Sequence, residues 1–168
     1  MDTILFETVK STINEIESNL KESNDTGIYF TPELYVAFCI GKDIAKHRVS
    51  IFGTNDIEWQ REIDLGNGGP SDIIFRNKEQ LTVIELKLRG TYDSYKADIE
   101  KLKRLKISSD KYFCVLLDSF TANNDERLLK LEQEFKEQLN KIGHYSFPTW
   151  NNWYQRQIYC NLNLYQLV

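Results

Sequence analysis

The sequence predicts a single α/β domain of core order αβββαβ, with one added helix before it and a helix plus strands after it. Three observations lead there. The stretch Gly68 to Arg89, GGPSDIIFRNKEQLTVIELKLR, breaks at two glycines and a proline and then shows two β-patterned runs around a polar turn. Tyr92 to Lys106 follows with apolar residues at helical spacing, and Lys111 to Asp118 is a continuous apolar run of the kind buried on both faces of a sheet. A strand, a helix and a strand in that order predict a right-handed crossover with the two strands parallel. The 168 residues suffice for one core, and a composition 41% hydrophobic and 12% aromatic argues against disorder.

Taken in order, Thr3 to Lys21 sets Ile4, Leu5, Val9, Ile13, Ile16 and Leu20 close to a 3.6-residue period, predicting an amphipathic helix over one sheet face that ends in the turn Ser23 to Gly27. Thr31-Pro32-Glu33 reads as a helix start, with Thr31 as cap and Pro32 at the first helical position. That helix, expected to reach about Lys46, is apolar nearly all round from Leu34 to Ile40, which predicts burial on every side. Val49 to Gly53 and Ile57 to Leu65 are expected to be extended, the second turning through Gly66-Asn67-Gly68-Gly69 into a strand from Asp72. Leu81 to Leu88 alternates, with Leu81, Val83, Glu85 and Lys87 on one face and Thr82, Ile84, Leu86 and Leu88 on the other.

In the helix from Tyr92, the residues Tyr95, Ile99, Leu102 and Leu105 mark the buried stripe. Asp98 and Lys101 flank it at a spacing that lets them pair. Asn123-x-x-Glu126 has the form of a capping box, and Leu128, Leu131, Phe135, Leu139 and Ile142 extend a helical stripe to Gly143. The aromatic tail from Tyr145 predicts one or two strands. In it Trp150, Trp153, Tyr154 and Arg156 are either core residues or a surface for stacking bases or contacting a second copy.

Chemistry concentrates at the central hairpin. If its strands pair, Asp72 at the start of one lies near Glu85 at the end of the other, and Lys87 points the same way as Glu85. Two carboxylates and an amine at one end of a sheet suit metal-dependent phosphodiester hydrolysis. Mg²⁺ prefers hard oxygen ligands and is often held by one or two carboxylates. It polarises a phosphoryl oxygen and eases deprotonation of water, while a neighbouring lysine orients that water or offsets developing charge. The backbone carbonyl of Leu86 is a further candidate ligand. The ordinary alternative is a pair of solvated strand-end carboxylates, with Lys87 pairing one of them.

Pro70-Ser71-Asp72 followed by Ile84-Glu85-Leu86-Lys87 resembles the signature of the PD-(D/E)XK, or restriction-endonuclease-like, nucleases, with one serine inserted between proline and aspartate. The order of elements extends the likeness over residues 31–142. The resemblance implies a three-layer core in which helices flank a mixed sheet. It also implies a site dependent on Mg²⁺ or Mn²⁺, with Asp72 and Glu85 as metal ligands and Lys87 as the catalytic lysine. Members of that superfamily often direct a glutamate of the preceding helix at the metal, a role Glu33 fits best; otherwise Glu33 simply interacts with the helix macrodipole. They also often place a lysine, glutamine or tyrosine of the following helix near the scissile phosphate. Lys101 and Tyr95 match that position, with a surface pair to Asp98 and core packing as the respective alternatives.

The net charge of −4 is unusual for a nucleic-acid enzyme. Between Lys87 and Lys111, however, basic residues outnumber acidic ones, and Arg89, Lys96 and Lys101 are the candidate contacts to substrate phosphate. The expected function is divalent-metal-dependent hydrolysis of phosphodiester bonds in DNA. The alternatives are a catalytically silent module of the same fold serving as an interaction or regulatory surface, and an RNA-directed nuclease. Little chain lies outside the core to read bases, so a partner protein or a homodimer is expected to supply specificity. No apolar run reaches the length of a membrane span, and the N-terminus lacks a basic-then-apolar leader pattern, which predicts a cytoplasmic location. Cys39, Cys114 and Cys160 are widely spaced in apolar surroundings and are expected to be reduced core residues.

Overall fold

Helix α1 (Asp2–Asn24) lays Leu5, Val9, Ile13 and Ile16 into the core. It ends at Asp25, whose left-handed φ of 53° turns the amides of Asp25 and Thr26 back onto the carbonyls of Lys21 and Leu20. The computed structural model describes residues 1–106, 109–123, 125–150 and 157–168; the stacking or dimer role considered for Trp153, Tyr154 and Arg156 falls outside them. A 3₁₀ turn, Ile28–Phe30, leads into α2 (Glu33–Lys46). Glu17, buried on α1, fastens this junction: its carboxylate accepts from Ile28 N–H at 2.8 Å and from Thr149 Oγ1 at 2.8 Å, and pairs with Lys21 at 3.3 Å.

Two expectations for α2 need correction. Pro32, with extended ψ of 143°, is the cap, while the Thr31 hydroxyl donates to the Ile28 carbonyl and caps nothing. Nor is the helix buried all round. Val36, Ala37, Ile40 and Ile44 face the core, but Leu34, Tyr35 and Phe38 stay exposed, because a helix lying on a sheet has one face to bury. The run Val49 to Gly53 is likewise not extended. It forms a short helix, α3 (Arg48–Phe52), which buries Ile51 and closes on Gly53 at φ 75°. Tertiary burial here outweighs the β preference of Val49 and Ile51.

The predicted strand Ile57 to Leu65 is split into β1 (Glu58–Gln60) and β2 (Ile63–Asp64), because Glu62 sits at φ 54° and breaks the extension. β2 pairs across the glycine loop with β3 (Pro70–Ser71), and β1 pairs antiparallel with β4 (Ile73–Arg76) in the register Gln60↔Ile74. The β4 strand turns through Asn77, whose side-chain oxygen accepts from the amides of Glu79 and Gln80, onto β5 (Leu81–Leu88). Then come α4 (Tyr92–Lys103) and β6 (Asp110–Ser119), which runs parallel to β5 as the crossover predicts.

Helix α5 (Glu126–Glu134) is capped by Asp125, which accepts from the Arg127 amide, and not by Asn123. The helical stripe reaches only Phe135. Leu139, Ile142 and Gly143 belong instead to β7 (Leu139–Thr149), paired antiparallel with β8 (Ile158–Leu167), which in turn pairs with β6. The backbone of β8 needs a partner on its outer edge, and β7 supplies it, so the apolar residues past Phe135 are spent on a ladder and not on further helical turns.

The six-stranded mixed sheet has the order β1-β4-β5-β6-β8-β7. Its residues Phe75, Ile84, Leu86 and Leu164 pack against α1, α2 and α3; Val83, Phe113, Leu117 and Tyr165 pack on the opposite side against α4 and α5. The result is an α/β protein with helices on both sides of a mixed sheet; α3, β2 and β3, which the expected αβββαβ order lacks, stand between α2 and β4. Cys39, Cys114 and Cys160 are free and buried. Among the described residues no helix is long and apolar enough to cross a membrane.

Candidate functional site

The carboxyl end of β5 and the turn into β4 bring together six charged side chains. Asp72 lies between β3 and β4, just outside the ladder, one residue before the Ile73↔Ile84 pair, so it stands beside Glu85. Its Oδ2 accepts from the Leu86 amide at 2.8 Å. That amide therefore points to the Asp72 side of β5, and the carbonyl of the same residue points there too.

Glu85 belongs to the α4 face of the sheet and is 1% exposed. Its Oε2 accepts from Lys101 Nζ of α4 at 2.8 Å, while its Oε1 is buried without a partner. Burial, and next the charge of Asp72, push its carboxyl up to about 7, although Lys101 and the Ser71 hydroxyl oppose the rise. Lys101 also donates to the carbonyl of Pro70, so α4 holds the Pro70-Ser71-Asp72 turn in place. Asn67 and Arg104 strengthen that dock: Asn67 Nδ2 donates to the Lys101 carbonyl and Arg104 Nε to the Asn67 carbonyl.

Lys87 sits one step further along β5 on the same face. Its Nζ is 3.2 Å from Asp98 Oδ2 of α4, an ionic contact without hydrogen-bond alignment, and 3.6 Å from Glu33 Oε1 of α2. Burial works against the ammonium, but Asp98 and Glu33 outweigh it and raise the Lys87 amine above its ordinary value. Asp98 is itself raised, first by burial and with a contribution from Asp72, against the lowering influence of Lys87 and Lys101. The other oxygen of Glu33 accepts from the Leu88 amide at 2.6 Å. Glu33 thus does more than interact with a helix dipole: it ties the start of α2 to the end of β5.

Asp72, Glu85 and Lys87 accordingly meet at one end of the sheet, as their spacing predicts, with Glu33 beside Lys87. The helix pairs are exchanged relative to expectation. Asp98 and Lys101 do not bond each other; Asp98 takes Lys87 and Lys101 takes Glu85. Asp98 is the member that the sequence reasoning passed over as a site residue. The available signal was its position one residue before Ile99 in the buried stripe, on a helix that begins just past the end of β5 and folds back over it. Arg89 and Lys96 are committed elsewhere. Arg89, at φ 66°, donates to the Tyr29 carbonyl at 2.7 Å and lies over the Tyr29 ring, and Lys96 pairs with Glu134. Tyr95 is fully buried and donates to the Gly90 carbonyl.

Among the described residues no three His, Cys, Asp or Glu side chains are grouped as they stand to hold a metal ion. Two features nevertheless fit a hard cation: the buried Oε1 of Glu85, which lacks a hydrogen-bond partner, and the nearby Asp72 carboxylate, whose charge adds to burial in raising Glu85. Glu33 fits less well, since one of its oxygens serves the Leu88 amide and the other faces Lys87. Compared with known protein families, with characterised proteins and with solved structures, the chain matches none.

Proposed function

We propose that the chain is a divalent-metal-dependent nuclease of the restriction-endonuclease-like kind, hydrolysing phosphodiester bonds in DNA. The single observation that supports it most is the half-satisfied Glu85 carboxylate, almost wholly buried and faced by Asp72. A buried unpaired carboxylate oxygen costs about 1–3 kcal/mol, a cost that a bound cation would offset. Asp72 and Glu85, with the Leu86 carbonyl, would hold Mg²⁺ or Mn²⁺; when bound, such an ion supplies Lewis-acid polarisation of the phosphoryl group and eases deprotonation of water.

The remaining residues act on position and charge. Lys87 keeps its proton between Asp98 and Glu33 and presents a fixed ammonium beside the two ligands, suited to hold an attacking water or to offset charge on the phosphate. Asp98 and Glu33 are its positioning partners. Lys101 pairs with Glu85 at 2.8 Å and would be the nearby cation of α4 for a substrate phosphate held by the metal. Apart from α3, β2 and β3, the order of elements from α2 to β6 is the one the superfamily resemblance expects, which supports the assignment of class. Specificity is left to a partner protein or a second copy.

The test is incubation of the purified chain with single-stranded DNA, duplex DNA, branched DNA and RNA, with Mg²⁺, Mn²⁺ or chelator. Metal-dependent cleavage of DNA is expected, reduced at least about 100-fold in Asp72→Asn and in Lys87→Met. Cleavage of RNA alone would reassign the substrate. A second reading, a catalytically silent interaction module, is favoured by one observation: both site lysines are neutralised by carboxylates of the chain itself. Wild type and variants equally inert on every substrate, with either metal, would select it.

A further inference from the structure

The outer face of α2 leads away from the site. Leu34, Phe38 and Lys42 follow one another along it at a spacing of one helical turn, and all three are exposed, Leu34 by 51% and Phe38 by 40%. Leu34 comes directly after Glu33, whose carboxylate faces Lys87 at 3.6 Å, so the row begins at the carboxylate cluster. Phe38 lies about 7.5 Å further along the helix axis than Glu33. There Arg61 joins the row from the sheet edge, its guanidinium over the Phe38 ring at 5.3 Å. The flanking ladders put Arg61 beside the site. Gln60 pairs with Ile74 and Ile63 with Ser71, so Arg61 and Glu62 between them stand opposite Asp72 and Ile73.

Among the described residues neither cation of this row is in contact with a carboxylate. Arg61 has no hydrogen-bond acceptor, and of its nitrogens only Nε is closed to solvent, which leaves the two terminal nitrogens open. Beside Lys42, the Asp43 carboxylate is taken by Lys46 at 2.8 Å and by the Thr12 hydroxyl at 3.0 Å. The lysines of the site itself, Lys87 and Lys101, are in contrast held by carboxylates. A guanidinium propped on an aromatic ring is fixed in place and presents its N–H fork to phosphate. Exposed apolar carbon interleaved with unpaired positive charge matches a strand whose bases are uncovered. A duplex hides its bases and would leave Leu34 and Phe38 in water. We propose that this row, Leu34, Phe38, Lys42 and Arg61, binds the single-stranded part of a DNA substrate beside the cleavage site. Arg61 and Lys42 take its phosphates, and Phe38 and Leu34 lie against its bases. The proposal rests on the nuclease reading for the identity of the substrate, and its test does not need cleavage.

Fluorescence anisotropy in chelator tests it on the full chain, with a labelled oligodeoxynucleotide offered single-stranded or annealed to its complement. The single strand is expected to bind in preference to the duplex. Arg61→Gln should weaken that binding about tenfold and make its logarithmic salt slope shallower by about 0.7, one phosphate's worth. Phe38→Leu keeps an apolar contact to Trp59 and should weaken binding about tenfold through lost stacking. Arg76→Gln removes the same charge at the far end of the β1–β4 ladder, opposite Glu58, and should change neither affinity nor slope. Should Phe38→Leu fail to fold, Lys42→Gln on the open surface takes its place and should also weaken binding. Preference for the duplex, no binding of either form, or equal losses in Arg61→Gln and Arg76→Gln overturns the proposal. So does a dimer in solution that Phe38→Leu dissociates, which would give the face to a second copy. The two readings fail separately. Arg61-dependent binding without cleavage in Mg²⁺ or Mn²⁺ would end the enzyme reading and keep this surface. Cleavage of single strands with KM unchanged in Arg61→Gln would do the reverse.

Discussion

Glu85 has a carboxyl near 7 in the folded chain against 4.5 for the free side chain. The folded state therefore binds this proton more tightly than the unfolded state, and the sign of the linkage follows. Stability is highest below about 4.5 as far as Glu85 is concerned, falls as pH rises through the window to about 7, and levels off above it. The loss across that window is about 3 kcal/mol. Denaturant titrations at pH 5 and pH 8 should show it, and Glu85→Gln should flatten the difference. Mg²⁺ at millimolar concentration should restore stability at pH 8 in the wild type and not in Glu85→Gln, because a ligand that binds only the folded state adds its binding free energy to stability. Lys101→Met tests the same carboxylate from the other side. Removing the amine at 2.8 Å leaves a buried, unpaired charge, and a loss of about 3 kcal/mol at pH 8 that shrinks at pH 5 is expected.

Between elements, close approach controls the geometry. The α2 helix reaches β1 through Gly41, where an added Cβ would stand 2.4 Å from the Trp59 indole nitrogen. Gly41→Ala should therefore cost about 1–3 kcal/mol despite the better helix propensity of alanine, measured as a lower denaturation midpoint. Trp59→Leu combined with it should recover part of the loss, since the two residues share one contact. The position of α2 matters to the site, because Glu33 at its first turn ties the end of β5 and faces Lys87. A shift of α2 by the width of a methyl group moves that tie. Gly41→Ala is thus expected to lower any metal-dependent cleavage as well as stability, and the single-turnover rate would register it.

For the whole molecule, net charge and its distribution set how a polyanion approaches. The chain carries −4 overall, with a basic excess near α4, and several of those cations are engaged by Asp98, Glu85, Glu134 or Glu100. Cations engaged in this way release fewer counterions, so DNA binding by the cleavage-deficient Asp72→Asn protein should be weak and should weaken further with added salt. Fluorescence anisotropy at two salt concentrations checks this. Affinity insensitive to salt would mean that phosphate contacts do not carry the encounter.

Much of the fold is legible in the order of residues alone. Leu81 to Leu88 alternates so regularly that its boundaries, its two faces and the siting of Glu85 and Lys87 follow from period two, and the crossover through α4 fixes β6 as parallel. What period and spacing leave open is wherever burial or an edge demands something local preference does not. Val49 to Phe52 are helical because Ile51 is buried, Leu139 to Gly143 are a strand because β8 needs an outer neighbour, and Leu34, Tyr35 and Phe38 remain outside because a sheet covers one side of a helix. The site divides in the same way. Asp72, Glu85 and Lys87 converge through hairpin register, a short-range property of the chain. Which carboxylate answers which lysine is decided only when α4 and α2 pack onto the sheet, for electrostatic pairing depends on distances of a few ångströms that no linear spacing sets.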